Sequence, residues 1–533
     1  MHKVAYLALV PDLFDGDQER LFVLKDKTLE EVQPLDLKNI AEELICVQIA
    51  DLTHQLRQKD IELPSNIVDL EEARRLVVGL PSKENAAHHW NVWSVLKRQK
   101  SYNPDIKIFK KLAFSQILVG DIDNLLEVCM SFLLTLQEAW LETIKLLEDE
   151  AELDRYFKIE LPIAKIFSKR QYLGIGVDQD KLSNIYQQVK SDKYKAYLRI
   201  ADILNTSPSE FNYRNIQSYL VGTELSHLSG IDDISQLELS MKLAAETSDL
   251  AKDIVSMLSS DRNLRALAKL SNPAGRCYPT YKITGTVTGR ILLQDPYLQG
   301  LKKAYRSVLM PDENTELFYL DYDHFEPGIL ASLSNDASLQ KMYESGDLYT
   351  EFSKVIFGTE QKRALAKRIF ISFLYGMSEE GLVKVLLPSA RENSDDTDAI
   401  KLAIRQFFLK LKTVMEYKKC VQKELEHNAR ISTPLGGHRK RKNTGALTEP
   451  EKRWALNQKI QGTASLIFKE AMIKIAGDFG SECLLLPMHD AILFQLPQKG
   501  AEGKIDVVKE IMENAMRNRC SRIQPKVSVE NFS

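Results

Sequence analysis

A chain of 533 residues with 44% hydrophobic content is long enough for several domains with real cores. Its formal net charge of −3 excludes a uniformly basic nucleic-acid coat, so any nucleic-acid contact must come from local patches. Six scattered cysteines without CxxC or metal spacing, no signal-peptide pattern and no apolar run of membrane length point to a soluble protein of the cytoplasm, mixed α and β, with no membrane partner.

In chain order, residues 3–25 read as a hairpin, "KVAYLALV" and "ERLFVLKD" about a polar turn. Helical spacing follows around 36–60 and 70–79, and the polar stretch 82–105 reads as loop. Residues 121–157 carry sustained i, i+3, i+4 apolar spacing and read as helix. Helix dominates to 280. Strand signals return at 279–284 and 317–321, and long helices fill 335–428 around a polar loop, "PSARENSDDTDA". The end returns to strands in "ECLLLPM", "AILFQLP" and "PKVSVEN". The tract "HRKRKN", 438–443, reads either as a solvated loop or as a source of phosphate contacts beside a duplex.

Two stretches carry carboxylates where a packed strand has no use for them. "LFYLDYDHFEPGIL", 317–330, runs as a buried strand, delivers Asp321, and turns into a helix after Pro327. Asp before such a helix is also an ordinary cap. "CLLLPMHDAILFQLP", 483–497, reads as a hairpin whose tip carries His489 and Asp490, a pair without the backbone advantage of Asn-Gly or Asp-Gly. If the two strands are neighbours, two carboxylates meet at one sheet edge, and divalent cations would relieve their repulsion. Two carboxylates holding two Mg²⁺ ions suit in-line displacement at phosphorus. Between them, in "QKRALAKRIFISFLYGMS", Arg363 and Lys367 share a helical face that Ile371 and Tyr375 continue. Such a stripe suits a nucleoside triphosphate, or is simply an amphipathic helix with a basic edge.

Together these stretches resemble motifs A, B and C of the family A DNA polymerases, in order. "YPTYKITGTVTGRILLQDPYLQG", "GDLYTEFSKVIFG", "RWALNQKIQGTASLIFKEAM" and "PKVSVENFS" resemble further family segments, so the resemblance spans about residues 155–533. It implies an α+β fold: a right-hand polymerase with an antiparallel palm sheet and helical fingers and thumb, the thumb at about 170–280 and palm and fingers at about 281–533. It implies that Asp321 and Asp490, with the Tyr322 backbone, hold two Mg²⁺ ions, or Mn²⁺ in their place. Lys367 joins them in catalysis. Arg363, Lys367, Ile371, Tyr375 and Tyr349 would bind the dNTP, and Glu326 would bar a 2′-hydroxyl. Arg290, Gln299, Arg453, Asn457, Gln461 and His489 would contact primer–template DNA. The implied enzyme is a monomeric DNA-directed DNA polymerase, placed at the nucleoid or encoded by a phage or mobile element. The chain departs from the family pattern at Ala491 (family Glu), Ile371 (aromatic), Tyr349 (His) and Gly328 (Arg). The essential charges survive, which implies an active, specialised enzyme.

Residues 1–155 resemble the family's 3′–5′ exonuclease domain, an RNase H-like α/β fold. Gln55, Glu127 and Ser131 stand where metal-binding and catalytic residues are expected, and the strand that carries Asp-x-Glu reads as missing. The expectation is a scaffold without nuclease activity, with no 5′-nuclease domain before it. If nuclease activity exists, Asp51, Asp69 and Glu71 are its candidate ligands. The competing reading for the whole chain is a polymerase-fold protein that binds primer–template without synthesis; retained Asp321, Lys367, Tyr375 and Asp490 argue against it.

Overall fold

The structure is a computed structural model and describes residues 4–10, 20–47, 49–58, 60–62, 64, 66–80, 87–206, 216–230, 234–245, 248–374, 377, 402 and 404–533. Two compact units emerge: Met1–Leu173 with Tyr281–Leu292 and Glu316–Glu530, and Gly174–Thr280 with Leu293–Thr315 and Asn531–Ser533.

The first unit begins with strands β1 (Val4–Val10), β2 (Arg20–Lys25), β3 (Thr28–Val32), β4 (Glu43–Cys46) and β5 (Ile67–Asp69) in the order β3-β2-β1-β4-β5. The β1–β2 hairpin forms as the sequence suggests, with Tyr6 opposite Leu24. β1 also pairs in parallel with β4, and β4 with β5. β1 lies at the centre of these five strands. Local pattern reveals only the antiparallel partner. The parallel partner lies beyond two strands and is four residues long, too short to show a period.

Both faces of β1 are covered, which explains its unbroken apolar run. Ala5 and Leu7 pack with Leu44, Leu52 and Leu56 on one face. Tyr6 and Ala8 pack on the other with Val128, Phe132, Leu136 and Ala139 of the helix Leu125–Asp149. Each fully buried Leu or Phe contributes roughly 1.5–3 kcal/mol. The stretch read as loop holds the short helices Ala87–Trp90 and Val92–Leu96, the second capped by Asn91. The expected polar loop at 388–399 lies outside the described residues.

The second unit contains β6 (Ile175–Val177) between β7 (Arg276–Cys277) and β10 (Leu309–Met310). Its helices Gln179–Ile203 and Asp249–Ala268 pack through Ala196, Ile200, Ile254 and Met257, and Arg199 pairs with Asp253. Short strands β8 (Thr280–Lys282) and β9 (Leu292–Gln294) stand where the chain passes between the units.

The rest of the first unit holds β11 (Thr315–Tyr322), the ribbon β12 (Arg430–Thr433) and β13 (Gly436–Lys440), β14 (Leu484–Met488), β15 (Ala491–Pro497) and β16 (Val527–Glu530). The sheet order is β14-β15-β11-β16. A 31-residue helix, Glu449–Phe479, starts with a capping box between Thr448 and Glu451.

The β12–β13 ribbon is fastened to the N-terminal part of the same unit. The Glu152 carboxylate accepts from the Gly437 amide at 2.8 Å and pairs with buried His438. The Lys440 ammonium reaches Glu150 at 2.6 Å, and the Lys440 amide donates to the Gly79 carbonyl at 2.8 Å. Arg441 pairs with Glu451 at 2.9 Å. Thus His438, Lys440 and Arg441 of the basic tract have intramolecular partners, which sequence order does not disclose. Deeper in, buried Glu160 binds Arg155 at 2.8 Å and Lys469.

Candidate active site

β11 and β15 are neighbours, so the condition for bringing the two carboxylates together is met. Asp321 is the penultimate residue of β11, opposite Ser528 of β16. Asp490 sits in the β14–β15 turn, where His489 takes the left-handed conformation (φ 54°) that lets two residues reverse the chain. The Tyr322 amide donates to the Asp490 carbonyl at 3.2 Å, tying strand to turn. Asp321 is half-buried, and among the described residues its Oδ1 is buried without a hydrogen-bond partner. Desolvation, then Asp490, Glu530 and Asp323, push its pKa up to about 8, against the pull of Lys367. Asp490 faces the cleft. Partial desolvation raises its pKa too, against its own amide, His489, Arg290 and Lys367.

The opposite wall is cationic. Helix Arg363–Leu374 presents Arg363 and Lys367 one turn apart, at 5.7 and 5.4 Å from the Tyr349 ring centroid. Tyr349 belongs to helix Leu348–Phe357, and His324 lies edge-on to it at 4.8 Å. Asp347 caps that helix through the Tyr349 and Thr350 amides at 3.1 and 3.4 Å, and also accepts from Arg363 Nε. Although desolvation opposes it, the bonds from Arg363 and Thr350 hold the Asp347 carboxyl down to about 2.

A cleft of about 750 Å³ joins these walls. Ten of the expected site residues line it: Arg290, Asp321, Tyr322, Glu326, Tyr349, Arg363, Lys367, Ile371, His489 and Asp490. Glu326 and Arg290 form an ion pair within it. Gly328 has a packing reason, since a Cβ there would lie 2.6 Å from the Tyr343 ring. That contact accounts for the departure at this position without reference to substrate. Ala491, where the family carries Glu, is fully buried as the first residue of β15.

Other expected residues stand elsewhere. Arg453, Asn457 and Gln461 fall on one face of the helix Glu449–Phe479, at i, i+4 and i+8. Asn457 Oδ1 is buried and without a partner among the described residues. Gln299 belongs to the second unit, where its side chain is buried and accepts from the Leu293 amide at 3.1 Å. Tyr375 lies outside the described residues. Sequence reasoning gave no role to Asp323, His324, Asp347, Lys526 or Glu530, all of which line the cleft. Only Asp347 had a usable signal, an Asp just before a helix.

The N-terminal sheet presents a different picture. Ser131 donates to Asp105 at 2.9 Å and accepts from Asn103 at 3.1 Å. Asp69 caps the helix Leu70–Val78 through the Glu71 amide at 2.7 Å. Glu71 pairs with Arg75 at 2.9 Å, and Glu72 accepts from the Thr284 amide at 2.9 Å. The side chains of Asp51 and Gln55 lie outside the described residues.

Two carboxylates with raised pKa values, one holding an orphaned buried oxygen, fit divalent cations. Among the described residues no group of three or more His, Cys, Asp or Glu side chains forms a closed metal cage. Nor, among the described residues, is any helix long and apolar enough to cross a membrane.

The chain is 24% identical over 536 aligned residues to "DNA polymerase I" of Caldicellulosiruptor bescii, covering 95% of this chain and 59% of that protein. It is 26% identical to "DNA polymerase I, thermostable" of Thermus aquaticus, over 67% of this chain and 46% of that protein. The chain thus spans about half the length of the curated relatives it matches. Its fold is that of the polymerase domain of Pol1 from M. smegmatis, solved in complex with DNA primer-template and dNTP. The TM-score is 0.75 at 19% identity, with 98% of this chain and 94% of that chain covered. Residues 232–531, more than half of the chain, match DNA polymerase family A, and the chain belongs to that family.

Proposed function

We propose that this chain is a template-directed DNA polymerase that adds deoxynucleotides to a primer 3′ end, without proofreading. The observation that carries the reading is the single cleft in which Asp321 and Asp490 face Arg363 and Lys367. Paired carboxylates opposite paired cations suit a triphosphate whose metal side and phosphate side are bound by opposite walls.

Asp321, Asp490 and the Tyr322 carbonyl would hold Mg²⁺, or Mn²⁺ in its place, which would neutralise charge developing on the phosphate and activate the attacking hydroxyl. Arg363 and Lys367 bind and orient the phosphates. Ile371, with Tyr375 and Tyr349, packs on the flat parts of the nucleotide. Glu326 closes the floor under the sugar, where a 2′-hydroxyl would clash. Arg290, His489, Asn457, Gln461, Arg453 and Gln299 are the proposed contacts to primer–template DNA. Residues 1–155 serve as an exonuclease-like scaffold without nuclease activity. Residues 156–533 form the polymerase region, with the thumb at about 170–280.

Primer extension with Mg²⁺ and four dNTPs on a labelled primer–template tests the reading. Template-dependent extension by the wild type is expected. DNA binding without extension would replace it with that of a primer–template binding protein.

A further inference from the structure

Arg363 does not stand free at the cleft wall. Its Nε donates to Asp347, and its guanidinium lies 5.7 Å from the Tyr349 ring centroid. Asp347 is itself fixed, because as helix cap it accepts from two backbone amides and from the Thr350 hydroxyl at 2.7 Å. A guanidinium carries five N–H donors in a rigid fork. A bond through Nε uses the inner edge and leaves the outer nitrogens, the pair that grips a phosphate bidentately.

We infer that Asp347 is a positioning residue for the triphosphate: it holds Arg363 by its inner edge so that the outer edge faces the phosphates. This rests on the polymerase reading above and assigns to Asp347 the geometry of one of its phosphate ligands. Asp347 lines the same cleft as Arg363, Lys367 and the two carboxylates. Its negative charge alone would repel a triphosphate. Its contribution is therefore orientational and acts through Arg363.

Asn caps a helix as well as Asp does, so Asp347→Asn removes the charge and the strong Nε acceptor while keeping the helix start. The test combines steady-state insertion on primed DNA with calorimetric binding of one Mg·dNTP, for wild type, Asp347→Asn, Arg363→Ala and the double variant. Losing a pre-ordered long side chain should raise the nucleotide Kd and KM roughly three- to tenfold. The loss should fall in KM rather than kcat, as expected for uniform binding. The double variant should match Arg363→Ala alone, because both act through one guanidinium. The thermal midpoint of Asp347→Asn should fall only slightly at neutral pH, because the pair it loses with Arg363 is largely exposed. An unchanged or lowered Kd, a loss confined to kcat, or additive effects would overturn the inference. A wild type that binds nucleotide but does not extend sinks the polymerase reading and leaves the Kd comparison to decide this one. A wild type that binds no nucleotide overturns both.

Discussion

Asp321 and Asp69 both stand at the end of a strand in a largely apolar sheet, and both have raised pKa values. Asp321 reaches about 8 and Asp69 about 7, each chiefly through desolvation and then neighbouring carboxylates. What separates them is hydrogen bonding. Asp69 has accepted the amide that starts its helix, whereas Asp321 keeps a buried oxygen without a partner among the described residues. Around Asp69, Glu71 and Glu72 are likewise engaged. A raised pKa therefore does not by itself distinguish a site from a structural carboxylate. An unsatisfied carboxylate oxygen in a cleft that also holds Arg363 and Lys367 is the stronger sign, because a bound cation would relieve both its repulsion and its missing partner.

The comparison breaks most sharply at the metal-binding pair. Asp321→Ala or Asp490→Ala should lower synthesis by at least roughly 10²–10³-fold while DNA binding persists, since the lost stabilisation belongs to the transition state. Robust extension by either variant would end the assignment. Stability should move the other way. A carboxyl whose folded pKa is raised costs stability above its unfolded pKa of roughly 3.9. Without divalent ions, Asp321→Asn should therefore raise the thermal midpoint at neutral pH, and the gain should vanish below about pH 4. On the other side of the comparison, labelled primer ends incubated with Mg²⁺ and no nucleotides should keep their length. Steady metal-dependent shortening would show that the N-terminal carboxylates are not merely structural.

Glu160 is the fully engaged extreme, buried between Arg155 and Lys469. Glu160→Gln leaves two buried cations without their counter-charge, at a cost of about 3–5 kcal/mol. Denaturant unfolding of the first unit reads this directly. A loss under about 1 kcal/mol would mean that the pair is solvated in solution.

Glu326 stands between the extremes: it lines the cleft yet is paired with Arg290. If it closes the space under the sugar, Glu326→Ala should raise ribonucleotide relative to deoxynucleotide insertion by about 10–100-fold. If it only favours a helix start after Pro327, the variant should lose a little stability and keep its sugar preference.

How much of this was legible in sequence follows from range. Asp321, the His489-Asp490 turn and the Arg363–Lys367 face each sit within one element, so local pattern exposes them. The adjacency of β11 and β15 joins residues about 170 apart, and only the family resemblance implied it. The central place of β1 is not legible, because its parallel partner is short and distant. The basic tract reads equally as solvated or as bound to a duplex because Glu150 and Glu152 come from nearly 300 residues earlier. Asp347 was legible as a cap but not as the partner of Arg363, since a cap signal says nothing about the carboxylate's other oxygen.

A carboxylate satisfied twice over gives the last test. Glu451 closes the capping box with Thr448 and also pairs with Arg441, both side chains being buried. The Arg441 bond leads, and with the Thr448 bonds it overcomes desolvation and holds the Glu451 carboxyl down to about 2. Gln serves in a capping box as Glu does, so Glu451→Gln keeps the helix start and removes the charge and one of the two oxygens that Arg441 reaches. The cost should be about 1.5–3 kcal/mol, the range for hydrogen bonds to charged groups. The pH dependence separates this from a packing defect. A depressed folded pKa gives stability that is complete above the unfolded value of roughly 4.3 and is lost as pH falls toward the folded one. The gap between wild type and Glu451→Gln should therefore hold constant from pH 8 to about 5, then close toward pH 2. A gap that persists undiminished at pH 2.5 would show that the variant perturbs packing, and that the Arg441 pair contributes little.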